Sequence, residues 1–201
     1  DGRLFLTDGG IETTLIFHHG IDLPVFAAYH LVEEREGAAT LRAYYDRYAA
    51  LAHAHGVGLL LESPSWRASA NWGAELGHDA TALDRLNRKA IELLADARAD
   101  WDARIAPIVL SGCIGPEADA YNPRTRLDPA SAERYHAAQV ATLAETEADL
   151  VSAITITYAE EAVGIVRAAR AAGMPVVISF TVETDGRLPS GQRLDEAIDQ
   201  V

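Results

Sequence analysis

Apolar residues cluster in short runs at residues 4–6, 57–61, 108–110, 150–156 and 176–180. Each run is brief and dominated by Val, Ile and Leu, the pattern of a strand covered on both faces. The stretches between them change period. Leu83, Leu86, Ala90, Leu93, Leu94 and Ala97 recur at helical spacing and form one apolar stripe, as on a helix lying against a sheet. Boundary signals frame such stripes: Asp128 before Pro129 reads as an N-cap followed by proline at the first helical position, and Gly56 and Gly173 stand where helices need a left-handed stop. Residues 194–201 read as the opening of a further helix. Strand and helix therefore alternate about five times, which predicts a parallel sheet with right-handed crossovers.

The residues just after each run separate the two main parallel architectures. No glycine-rich dinucleotide fingerprint comes after a strand, and no P-loop is present. Instead the runs lead into Thr7-Asp8-Gly9-Gly10, Glu62-Ser63-Pro64-Ser65-Trp66, Ser111-Gly112-Cys113-Ile114-Gly115-Pro116 and the segments 155–158 and 181–186. Polar segments after every strand converge in a (β/α)₈ TIM barrel, whose active sites are built at the C-terminal ends of the strands. A full barrel takes about 250 residues and eight units, so the expected fold is α/β, with residues 1–201 forming one barrel domain cut at its C-terminal side after about five βα units.

Composition narrows the partners. The chain is 49% hydrophobic and 23% charged, an ordinary globular balance, and its net charge of −13 disfavours nucleic acid and anionic membrane surfaces. No run is long enough to span a bilayer. The single cysteine, Cys113, forms no internal disulfide, and together these features predict a soluble cytoplasmic protein.

Several motifs, taken in order, carry a resemblance. Leu6-Thr7-Asp8-Gly9-Gly10 with Thr13 and Leu15, then Trp66-Arg67-Ala68-Ser69, Ser111 to Pro116, Tyr135-His136 and Ser179-Phe180-Thr181 resemble the homocysteine S-methyltransferase family along nearly the whole chain. The resemblance implies a zinc-dependent barrel in which the thiol of homocysteine binds the metal as thiolate and receives a methyl group from a small donor such as betaine, methylfolate, S-methylmethionine or adenosylmethionine. It places the three zinc cysteines beyond Val201 and gives Cys113 no metal role. Its implied partners are an amino-acid thiol and a methyl donor, with homo-oligomerisation left open. Two positions depart from the family pattern: Ile154 stands where relatives carry a glutamate for the substrate's amino group, and Pro64 replaces an asparagine.

The candidate substrate-binding residues are Asp8, Gly9, Gly10, Thr13, Glu62 and Trp66. Asp8 either receives a substrate ammonium or closes a turn by bonding nearby amides. Gly9 and Gly10 either admit a carboxylate to the backbone or serve a tight turn. Thr13 donates to a carboxylate or caps a short helix, and Trp66 walls a pocket or packs at the rim. Glu62 or Glu183 is positioned to replace the carboxylate missing at Ile154. Glu62, Glu117, Asp119, Glu183 and Asp185 together define an acidic rim, which leaves a divalent-metal lyase or hydrolase on the same barrel as the rival enzyme. A non-catalytic binding module is the third reading. Cys113 has no recognisable histidine partner among His18, His19, His30, His53, His55, His78 and His136.

Overall fold

The computed structural model describes residues 2–121 and 126–201. Strands β1 (Phe5–Thr7), β2 (Gly58–Glu62), β3 (Ile108–Ile114), β4 (Leu150–Ile156) and β5 (Val176–Phe180) form one sheet in the order β1-β2-β3-β4-β5. Every neighbouring pair is parallel. The order never reverses, which separates this sheet from a doubly wound one and matches the expected half of a TIM barrel.

The helices alternate with the strands. After β1 come α1 (Ile11–Thr13), a π-helical turn at Thr14–His18, two 3-10 turns at Pro24–Phe26 and Tyr29–Glu33, and α2 (Arg35–His55). The remaining helices are α3 (Ala70–Glu75), α4 (Ala80–Trp101), α5 (Pro129–Ala144), α6 (Ala159–Ala171) and α7 (Leu194–Gln200). No described helix is long and apolar enough to cross a membrane.

The boundary chemistry is the one the sequence advertises. Asp128 accepts the Ser131 N–H at 2.7 Å with Pro129 in the first turn of α5, and Gly56 ends α2 in the left-handed region at φ 62°. Asp79 caps α4 by accepting the Ala82 N–H at 2.8 Å.

The core lies between the outer face of the sheet and these helices. Leu59, Leu61, Leu110, Ile114 and Val151 pack there against Leu41, Tyr45, Leu94 and Val140. Each such aliphatic side chain contributes about 1.5–3 kcal/mol by leaving water.

Strand β3 differs from the expectation. It continues to Ile114 instead of turning at Ser111, with Ser111 paired to Leu150 and Ile114 to Ala153 across to β4. The polar and small residues that resemble a turn are alternating strand positions. Leu110 and Ile114 face the helices, while Ser111 and Cys113 face inward; Gly112 leaves room for Leu143 of α5, whose side chain would lie 2.7 Å from an added Cβ.

Candidate functional site

Asp8 comes directly after β1 and is 8% exposed. Its Oδ1 accepts the backbone N–H of Glu62, the last residue of β2, at 2.7 Å, and the Tyr44 hydroxyl of α2 lies 3.2 Å from Oδ2. The side chain thus bonds across to the neighbouring strand rather than to the amides of its own glycine turn. Burial pushes the carboxyl up to about 7; the Glu62 amide and Tyr44 hydroxyl pull it down, and the Glu62 charge adds to the rise.

Glu62 is half-buried at the inner end of β2. Burial also raises its carboxyl, partly offset by the hydroxyls of Ser111 and Ser152. These two serines are themselves linked across β3 and β4 at 2.8 Å. Glu62 Oε2 is buried and has no hydrogen-bond partner. Two carboxylates whose protons are held tightly therefore sit on adjacent strand ends.

The glycine turn stands beside them. Gly10 adopts φ 65°, ψ 37°, the left-handed region that excludes most side chains. A Cβ on Gly9 would meet nothing within 4 Å, so open space rather than packing surrounds it. The Gly9 N–H donates to the Tyr44 hydroxyl at 3.1 Å, and Tyr48 donates to the Gly9 carbonyl at 3.1 Å. Thr13 is exposed in α1 and makes no side-chain capping bond to the turn after it.

Trp66 closes the other side. Its Nε1 reaches the Ile154 carbonyl at 3.3 Å and the Thr155 Oγ1 at 3.2 Å. Gly115 makes this close approach possible: its N–H donates to the Trp66 carbonyl at 2.9 Å, and an added Cβ would lie 2.8 Å from Trp66 Nε1. Thr155 has φ 62°, where the β4–β5 register slips between Ala153 and Ile156. The indole therefore tethers the loop after β2 to the bent end of β4, at the position the resemblance assigns to a glutamate.

Two charged residues here were not among the sequence candidates. Glu12, half-buried in α1, has its carboxyl raised by burial and pulled back down by Arg67. Arg67 stacks its guanidinium 4.0 Å from the Trp66 ring centroid and 3.5 Å from that of Trp72. Burial lowers its pKa to about 10. The signal was present, since both residues lie in segments that come after strands and Arg67 sits inside a quoted motif.

The other candidates lie apart. His136 and Glu161 are fully buried between α5 and α6, with Nε2 3.0 Å from Oε1, and the same oxygen accepts the Glu117 N–H at 2.6 Å. Glu117 is held by the Asn71 side chain. Asp119, Glu183 and Asp185 are exposed. Cys113 lies inside β3, its thiol pushed well above the usual range by burial, with Glu62, Glu12 and Asp8 adding to the rise. That environment opposes the thiolate a metal or a nucleophile requires. Among the described residues no three His, Cys, Asp or Glu side chains are grouped to hold a metal, so this set does not fit the implied zinc.

The chain is similar in structure to the homocysteine methyltransferase MmuM from Escherichia coli. Against its metallated form the TM-score is 0.79 at 21% identity, covering all of this chain and 70% of that one. The oxidised form gives the same TM-score with 69% of its chain covered, and the apo form gives 0.71 at 20% identity. Identity this low shows the fold alone. A sequence search of curated proteins found no match. The family evidence is the profile described as homocysteine S-methyltransferase, which matches residues 5–201; on that match the chain belongs to the homocysteine S-methyltransferase family, a family of methyl-transferring enzymes.

Proposed function

We propose that this chain binds the acceptor in an enzyme that transfers a methyl group from a small donor to the thiol of homocysteine or a closely related amino-acid thiol. The observation that carries the reading is the unpartnered, buried Glu62 Oε2 beside the Asp8 carboxyl. A buried carboxylate oxygen without a donor is costly, and an arriving ammonium supplies both the hydrogen bond and the counter-charge. With Ile154 in place of the family's glutamate, the carboxylates after β1 and β2 take that contact.

The other candidates then have defined tasks. The open backbone at Gly9 and Gly10, with the Thr13 hydroxyl nearby, faces the polar end of the amino acid. Trp66 excludes water from the side on which Ile154 lies. Asp8 and Glu62 bind the ammonium in their ionised forms, so acceptor binding expels whatever proton either carboxyl holds. Methylation of homocysteine yields methionine, and we place the reaction in the cytoplasm.

The test is methyl transfer by the full-length protein to homocysteine and to mercaptobutyrate, which lacks the amino group, with betaine and S-methylmethionine as donors. Preferential methylation of homocysteine supports the reading. Equal methylation of both thiols contradicts it.

A further inference from the structure

Arg67 is the one arginine or lysine buried among the described residues, with 5% of its surface exposed. A buried guanidinium is costly unless a counter-charge and hydrogen-bond acceptors replace its water. Its guanidinium carbon lies over the rings of both Trp66 and Trp72. Stacking fixes the plane and leaves the N–H edge available, the edge that matches the two oxygens of a carboxylate. That edge is almost unused: Nη1 donates to the neutral carbonyl of Ala118 at 3.3 Å, and the buried Nε has no acceptor.

Its location ties this edge to the site. Trp66 lies after β2, Ala118 after β3 and Glu12 after β1, so the guanidinium lies at the strand ends that also carry Asp8 and Glu62. Glu12 is within electrostatic reach of both Arg67 and Cys113, and Cys113 is in turn within reach of Glu62 and Asp8. Glu12 and Asp119 help keep the guanidinium charged. Carboxylates and a cation with an unfilled N–H edge, carried by neighbouring strand ends, are together complementary to a zwitterion. A guanidinium serving only to brace two indoles has no use for a desolvated, unfilled Nε.

The geometry points to Arg67 as the carboxylate receptor of the site, taking the carboxylate of the amino-acid acceptor or that of a methyl donor carrying one. The assignment rests on the acceptor reading for which molecules enter the mouth. It goes beyond that reading by giving the anionic end of the ligand a side chain.

The test is calorimetric titration of the full-length protein with two matched pairs. These are homocysteine against homocysteamine, which lacks only the carboxylate, and S-methylmethionine against its carboxamide. The parent protein is expected to prefer the carboxylate member of one pair by roughly 10- to 100-fold. Arg67→Gln should abolish that preference and Arg67→Lys recover part of it, and the pair affected identifies the source of the carboxylate. The parent's preference is measured without any substitution, so a misfolded variant does not decide the outcome, and thermal unfolding reports whether each variant is folded.

Failure can be assigned. If homocysteine binds but neither pair shows a carboxylate preference, or the preference survives Arg67→Gln, the receptor assignment is overturned and the acceptor reading stands. If homocysteine and homocysteamine both fail to bind while the S-methylmethionine preference depends on Arg67, the acceptor reading falls and the receptor assignment stands. If none of the four ligands binds, both fall.

Discussion

A carboxyl that loses its water and gains only an amide and a phenol holds its proton more tightly, and Asp8 is in that position. Its pKa rises on folding from 3.8 to about 7. In that interval the folded state binds a proton that the unfolded state has released. Its stabilising contribution is therefore complete below the unfolded value and is lost as pH rises through the folded one, at up to about 1.4 kcal/mol per pH unit. Asp8→Asn removes the titration. Denaturant unfolding between about pH 4 and about pH 8 should show the stability difference moving in favour of the variant as pH rises; a difference that stays flat contradicts the assignment.

The same proton reports on binding. Methionine carries an amino group but no thiol proton, so its titration near neutral pH should release a proton from the carboxyl pair, seen as a dependence of binding heat on buffer ionisation. Asp8→Asn should reduce that release. At this scale the positions of Asp8 and Glu62 were legible, because residues at or just after strand ends are placed by topology. Glu12 and Arg67 were not singled out, although Arg67 lies within the Trp66-Arg67-Ala68-Ser69 motif. The structure shows Arg67 buried and packed against Trp66 and Trp72.

Elements were legible where their chemistry was unambiguous. Strands β4 and β5 occupy the expected residues, and Gly56, Gly173 and Asp128 mark helix ends as their backbone and capping preferences require. The end of β3 was not legible, because Ser, Gly and Cys suit a turn and suit equally a strand with Ser111 and Cys113 on its inner side and Gly112 making room for a helix on its outer side. The packing of α6 on α5 was hidden for a related reason. Gly164 lies mid-helix in α6, where propensity alone favours alanine by about 1 kcal/mol. A Cβ there would lie 2.6 Å from the Glu133 nitrogen and 2.8 Å from the Pro129 carbonyl oxygen, both backbone atoms of α5. Gly164→Ala should therefore destabilise the protein by about 1–3 kcal/mol, against the direction of propensity. Thermal unfolding checks the sign, and a stabilised variant contradicts the close packing.

The whole molecule is a run of parallel strands in chain order whose helix-facing side is apolar and whose inner side carries Glu62, Ser111, Cys113 and Ser152. That division makes the strand ends a functional face: the outer surface provides the folding energy, and the inner one is free to carry polar groups that contribute little to it. The net charge of −13 favours cationic ligands over polyanions at long range, and the carboxylates after β1 and β2 concentrate that preference at one place. The architecture was legible because the strand–helix alternation admits few topologies. The specificity of the mouth was less so: Ile154 removes the family's glutamate, and the carboxylates proposed to take its contact lie on other strands. Calorimetric titration of homocysteine into the full-length protein and its Asp8→Asn and Glu62→Gln variants tests the acceptor site most directly. Each substitution should weaken binding by about 1.5–3 kcal/mol, the range for a hydrogen bond to a charged group, while affinities equal to the parent's in both variants would contradict the account.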